Sequence, residues 1–241
     1  MRIAVVGLGL IGGSIALALR DAHGIVAFDT DASTRARAAD RGLTVVERLE
    51  DALSADAVVV ATPLGSVVPT LEAVAGRTDG VVMEVGSLKA GVAAFAERAP
   101  TGARIVGLHP MAGSTGSGFA AADPRMFHGR PFLVVPTART DARAMTLAGD
   151  LARELGGEVT VCSAEQHDRA VAMLSGVPLA VAIALARAGE DVAHLAGPGY
   201  EGATRLAATP PELAKALLRA AHVKEALARF RAALEDVERG A

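Results

Sequence analysis

The first half of the chain alternates short runs of branched aliphatic residues with alanine-rich stretches whose apolar positions recur every three to four residues. The runs "RIAVVG", "IVAFD", "DAVVVATP", "GVVMEVGS", "RIVGLHP" and "PFLVVPT" are predicted as strands. Ile11 to Ala22, Ala32 to Arg41, Ser66 to Ala75 and Ala90 to Arg98 are predicted as helices. Runs with no polar alternation suit strands buried on both faces, and a strand–helix–strand order lays successive strands side by side in parallel. The expected architecture is α/β, a doubly wound and mostly parallel sheet.

The pattern changes after "GGEVTVC". From Ser163 onward the chain reads as helix, with Ser163 and Gln166 spaced as a capping box. The boundary is therefore placed at Cys162, giving domains of residues 1–162 and 163–241. The second domain opens with "AVAMLSGVPLAVAIALA", apolar on every side, in which Pro178 removes a backbone donor and bends the axis. Leu213, Leu217, Ala220, Val223, Leu227, Phe230, Leu234 and Val237 then form an apolar stripe. A segment of about 80 residues has little core of its own. A second copy of the chain is the simplest cover for so much apolar surface, so the helical part is expected to be a dimerisation domain and the protein a homodimer.

Composition narrows the partners. Hydrophobic residues make up 51% of the chain and aromatics 3%, so the core is built from Ala, Val, Leu and Ile. A net charge of -3, no Trp and one Tyr supply neither a basic field nor a stacking platform, and no nucleic acid partner is expected. The single cysteine, Cys162, offers no internal disulfide and no metal cluster, which fits a cytoplasmic protein without a metal. The apolar run from Ile3 to Leu19 is broken by Gly7, Gly9, Gly12 and Gly13 and is short for a membrane span, so it is read as folded and retained, with no membrane partner.

Those glycines carry the first chemistry. Gly7-x-Gly9-x-x-Gly12 follows a strand and opens a helix: Gly7 permits the turn, Gly9 lets the backbone approach a pyrophosphate, and Gly12 lets helix and strand pack closely. The amides of Leu10 and Ile11 at the helix mouth join this anion site, and Ser14 offers a hydroxyl. The second strand ends in Asp29, placed to accept from both ribose hydroxyls and to repel a 2'-phosphate, so the sheet is expected to bind a dinucleotide and NAD in preference to NADP. Arg35 and Arg37 lie nearby and soften that preference.

Ligands of such a sheet sit at the carboxyl ends of the strands. Thr62 and Pro63, Gly86 and Ser87, and His109 and Pro110 end three of them. Pro110 holds His109 extended, and the imidazole can exchange a proton near neutral pH while Ser87 hydrogen-bonds its far nitrogen.

With these residues in place the chain resembles the prephenate and arogenate dehydrogenases of tyrosine biosynthesis. The likeness runs through "GLGLIGGS", "GSLK" at Gly86 to Lys89, "GLHPMAGSTGSG", "EQHD" at Glu165 to Asp168 and "ATRLA" at Ala203 to Ala207. It implies that His109 is the catalytic base, Ser87 the serine that orients it, and Arg205 the partner of a substrate carboxylate. It also makes His167 a further active-site histidine, with Ser114 and Thr115 as substrate contacts in the small-residue loop. The implied reaction is NAD-dependent oxidative decarboxylation of prephenate, with arogenate the alternative substrate.

The chain departs from that pattern at Gly176, where prephenate-using relatives often carry a histidine, at Thr115, where an acid is frequent, and at Glu201, where a lysine is common. Hydroxyacid and imine reductases would share the glycine turn but not "GLHPMAG" with "ATRLA". A nucleotide-sensing protein needs no histidine and serine at the strand ends. A hydrolase built on Ser87, His109 and Asp168 lacks the Gly-x-Ser-x-Gly elbow.

Overall fold

The computed structural model describes residues 1–114 and 116–240 as two compact units, Met1–Ala164 and Glu165–Ala241. In the first unit the described residues form one sheet of eight strands. These are β1 (Arg2–Val6), β2 (Gly24–Phe28), β3 (Thr44–Val45), β4 (Ala57–Val60), β5 (Val81–Glu84), β6 (Arg104–Pro110), β7 (Pro131–Pro136) and β8 (Glu158–Val161), in the order β3-β2-β1-β4-β5-β6-β7-β8. The connecting helices are α1 (Leu10–Leu19), α2 (Ala32–Asp40), α3 (Leu49–Ala52), α4 (Leu64–Val74), α5 (Ala90–Arg98) and α6 (Ala142–Glu154).

Both faces of the sheet are covered, which explains the unbroken apolar runs. Ile3, Val5, Ala57, Val59, Val81 and Met83 enter one core with Ile15 of α1 and Leu151 of α6. Ala4, Val6, Val58, Val60 and Val82 enter a second with Leu71 of α4 and Phe95 of α5. Successive residues of a strand point to opposite faces, so a strand flanked by two cores has no position left for a polar side chain.

Strands β1 to β6 are mutually parallel, but β7 runs antiparallel to β6, pairing Pro110 with Phe132 and Val106 with Pro136. A parallel partner needs a long crossover, usually helical. Among the described residues the one helical element between β6 and β7 is the 3-10 turn Phe119–Ala121, too short for such a crossover. β8 is parallel to β7. Helix α6 and the short β3 and α3 were not expected from the periodicity.

The second unit contains α7 (Ala164–Val171), α8 (Val177–Ala188), α9 (Pro198–Thr204), α10 (Pro211–Arg219) and α11 (Val223–Gly240). A π-turn, Ala172–Gly176, joins α7 to α8. Pro178 lacks the N–H that would bond the carbonyl four residues back and its ring crowds that carbonyl, and a widened turn just before it relieves both. The apolar stripe divides at His222, which has a positive φ of 69° between α10 and α11. Its inner members Leu217 and Val223 are buried, with Val223 packed on Ala172, Val177 and Ala226, whereas Leu234 and Val237 stay exposed. The long apolar helix is not enclosed within one chain, since Leu174 is 64% exposed.

Candidate active site

The glycine turn is built as its spacing requires. Gly7 has a φ of 93°, and a Cβ on it would lie 2.7 Å from the Ala61 carbonyl oxygen. A Cβ on Gly12 would collide with the Gly7 carbonyl, which fixes how closely α1 packs against the turn. Gly9 is different: nothing lies within 4 Å of its Cβ position, so this side of the turn is open to a ligand. Gly9 also supplies no side-chain cap to α1, leaving the first-turn amides of Leu10, Ile11 and Gly12 for an anion.

Asp29 locks this turn from β2. Its Oδ2 accepts from the Leu8 amide at 2.7 Å and its Oδ1 from the Asp31 amide at 2.9 Å. Each carboxylate oxygen keeps a lone pair for a ribose hydroxyl. Arg35 turns back on the same corner, donating to the carbonyls of Asp29 at 2.8 Å and Thr30 at 3.1 Å. Ser14 has a different part from the one expected. Its buried hydroxyl donates to the Leu10 carbonyl at 2.6 Å and accepts from the Asp123 amide at 3.0 Å, tying α1 to the segment after β6. On the neighbouring strand, Thr62 is half-buried with its hydroxyl 3.4 Å from that of Thr70, and the exposed Pro63 caps α4.

The edge that holds the glycine turn also carries the acid–base groups. His109 is the penultimate residue of β6, paired with Leu133 of β7, and is 8% exposed. Its backbone is paired on the β7 side, while the pairing of β6 with β5 ends two residues earlier at Gly107, so the ring leaves the sheet from a strand end held by β7. Glu84 at the end of β5 stands in register with Gly107, which brings Gly86, Ser87 and His109 to adjacent strand ends. Ser87 is half-buried. Ser114 is exposed, its hydroxyl accepting from the Gly116 amide at 3.1 Å. Thr115 lies outside the described residues.

A buried ion pair under Ser87 went unread in the sequence. Glu84 is fully buried and Lys89 is 1% exposed, with Lys89 Nζ 2.6 Å from Glu84 Oε2. A lone acid closing the apolar strand "VVME", five residues before a lysine, was the available signal.

In the second unit, His167 is fully buried and its Nδ1 lies 2.7 Å from Asp168 Oδ1. Arg205 is exposed and opens the 3-10 turn Arg205–Ala208. Gly176 is buried, and a Cβ there would stand 3.1 Å from Val223 Cγ2. The described residues contain no group of three or more potential metal ligands.

An open glycine turn, an acid at the second strand end and a histidine at the same sheet edge define a dinucleotide-dependent dehydrogenase. Residues 15–161 match the family described as prephenate dehydrogenase, nucleotide-binding domain, and residues 163–240 match prephenate dehydrogenase, dimerization domain. The chain belongs to the prephenate dehydrogenase family. It is 31% identical to the cyclohexadienyl dehydrogenase of Zymomonas mobilis, over 88% of this chain and 78% of that protein. It is also 31% identical to the prephenate dehydrogenase of Bacillus subtilis, over 90% of this chain and 63% of that one. Among solved structures it is similar to Synechocystis arogenate dehydrogenase, with 29% identity, a TM-score of 0.82 and coverage of 98% of this chain and 90% of that one. Prephenate dehydrogenase from A. aeolicus, solved with hydroxyphenyl propionate and NAD+, gives 25% identity, a TM-score of 0.86 and coverage of 99% and 90%.

Proposed function

We propose that this chain oxidises and decarboxylates prephenate to 4-hydroxyphenylpyruvate with NAD as the hydride acceptor. The observation that carries the reading is His109, held by pairing with β7 at the sheet edge that presents the open glycine turn. Bound NAD supplies the acceptor carbon. Gly7, Gly9, Gly12 and the amides of Leu10 and Ile11 hold its pyrophosphate, Asp29 its ribose hydroxyls, and Thr62 and Pro63 border it from β4.

His109 takes the proton of the substrate hydroxyl as hydride departs from the same carbon. Loss of carbon dioxide then makes the ring aromatic, which drives the step forward. Ser87 orients the imidazole, Arg205 binds a substrate carboxylate, and Ser114, Thr115 and His167 complete the substrate contacts. Residues 1–162 act as the nucleotide-binding domain and residues 163–241 as the substrate and dimerisation domain. The enzyme works as a cytoplasmic homodimer. Support for the dimer comes from the family match of residues 163–240 and from exposed Leu174, Val192 and Leu195. The helix Ala164–Ala188 is long and apolar enough to cross a membrane by length and composition, with 33% of its apolar window buried. A partner subunit gives that surface its cover.

One observation favours arogenate as a second reading. Gly176 presents no side chain, and its Cβ position faces Val223, so a polar contact available to prephenate-using relatives is missing. Steady-state kinetics with NAD and each substrate separates the two: prephenate is expected to give the higher kcat/KM, and a clear preference for arogenate overturns the assignment. Arg205→Ala is expected to raise KM at least about tenfold, the equivalent of a lost charge-assisted contact of about 1.5 to 3 kcal/mol.

A further inference from the structure

The mechanism leaves the buried Glu84–Lys89 pair without a part. Besides its 2.6 Å contact with Glu84 Oε2, Lys89 Nζ donates to the Gly86 carbonyl at 2.6 Å and approaches the Glu84 carbonyl at 3.2 Å. The other carboxylate oxygen, Glu84 Oε1, accepts from the Gly86 amide. The pair therefore grips both the N–H and the C=O of Gly86, the residue directly before Ser87.

Two glycines make room for it. A Cβ on Gly86 would collide with Glu84 Oε1 and stand 3.1 Å from Leu64 Cδ2. A Cβ on Gly107, two residues before His109, would stand 3.0 Å from Lys89 Cδ and 3.2 Å from Val135 Cβ. The lysine stem thus crosses from the end of β5 onto β6, between the strand ends that carry Ser87 and His109.

Desolvating two charges costs about as much as their attraction returns, so a buried ion pair is a poor device for stability alone. Its direct effect is geometric, because four polar contacts converge on one tight turn. We infer that Glu84 and Lys89 are positioning residues, which fix the Gly86 peptide and thereby set where Ser87 stands relative to His109. The inference rests on the reading of Ser87 as the residue that orients His109.

The test compares kcat and the KM for NAD in wild type, Ser87→Ala, Lys89→Met and the Ser87→Ala/Lys89→Met double variant. Lys89→Met keeps the apolar stem and removes the donor. It is expected to lower kcat about tenfold to a hundredfold while the KM for NAD stays within about twofold, because misplacement acts on the chemical step. In the Ser87→Ala background the same change is expected to cost nothing further, since both act through one group. Should Lys89→Met fail to fold, Gly107→Ala keeps both charges and displaces the lysine stem, and it carries the same expectations. A lowered kcat in Ser87→Ala beside an unchanged kcat in Lys89→Met overturns the inference alone. Equal losses from Lys89→Met in both backgrounds overturn it too. A wild-type kcat in Ser87→Ala overturns the underlying reading of Ser87 and the inference with it.

Discussion

His109→Asn removes the proposed acceptor of the substrate proton but leaves the glycine turn and Asp29 untouched. Turnover is expected to fall by about two to four orders of magnitude with NAD affinity preserved, checked by stopped-flow turnover and by titrating NAD against protein fluorescence or heat. Near-normal turnover would remove His109 from its assigned part. Asp29 bears on a different question, because it accepts from the Leu8 amide within the turn and is also the proposed partner of the ribose. Asp29→Ser is therefore expected to weaken NAD and narrow its advantage over NADP, read as the ratio of kcat/KM for the two cofactors. If NADP is already preferred by the wild type, the acid does not select the cofactor. The positions of these residues were legible because spacing alone places them: glycines at a strand-to-helix turn, an acid about twenty residues on, and His-Pro at a strand end. Glu84 and Lys89 were not legible, because a charged pair reads as surface until burial is known. Ser14 is a related case, since a first-turn hydroxyl faces a ligand, solvent or its own fold and the sequence does not say which.

At the scale of the element, helix starts give a pH-dependent prediction. Asp31 caps α2, and hydrogen bonds from the Ser33 hydroxyl first, then the Thr34 hydroxyl and the Ser33 amide, lower its carboxyl from 3.8 to about 2. Asp141 caps α6, and the Ala144 amide, ahead of Arg104, lowers its carboxyl also. A carboxylate with a depressed folded pKa lends stability that is complete above its unfolded value and lost as pH falls through the folded one. Amide-exchange protection at the start of α2 is expected to persist at mildly acid pH, decline towards pH 2, and lose this acid dependence in Asp31→Ala. At the π-turn, Gly176→His is expected to lower the melting temperature rather than restore a substrate contact, because its Cβ must displace Val223. Calorimetry beside prephenate kinetics checks both halves of that statement. Among the elements, β1, β2, β4, β5 and β6 were readable from runs buried on two faces. The direction of β7 was readable in principle, since no helix was predicted between "RIVGLHP" and "PFLVVPT", yet the side-chain pattern of a strand is the same in either direction. Helix α6 was readable in principle, since its buried positions Ala144, Ala148, Leu151 and Ala152 recur every three to four residues against charged ones.

For the whole molecule, the helical unit has a small core around Ala172, Val177, Val223 and Ala226 and leaves large aliphatic side chains uncovered. Light scattering is expected to give a dimer at micromolar concentration, and Leu174→Asp is expected to weaken association at least about tenfold by placing a charge in an apolar contact. A monomer in the wild type would refute the dimer. The burial of Lys89 has another consequence. The chain has three lysines, and the other two, Lys215 and Lys224, are exposed on α10 and α11. An amine-reactive label applied to the native protein should modify those two quickly and spare Lys89. Because Lys89 reacts only when the end of β5 parts from β6, the slow appearance of label on its tryptic peptide becomes a clock for the opening of the nucleotide-binding unit, read by mass spectrometry without any engineered substitution.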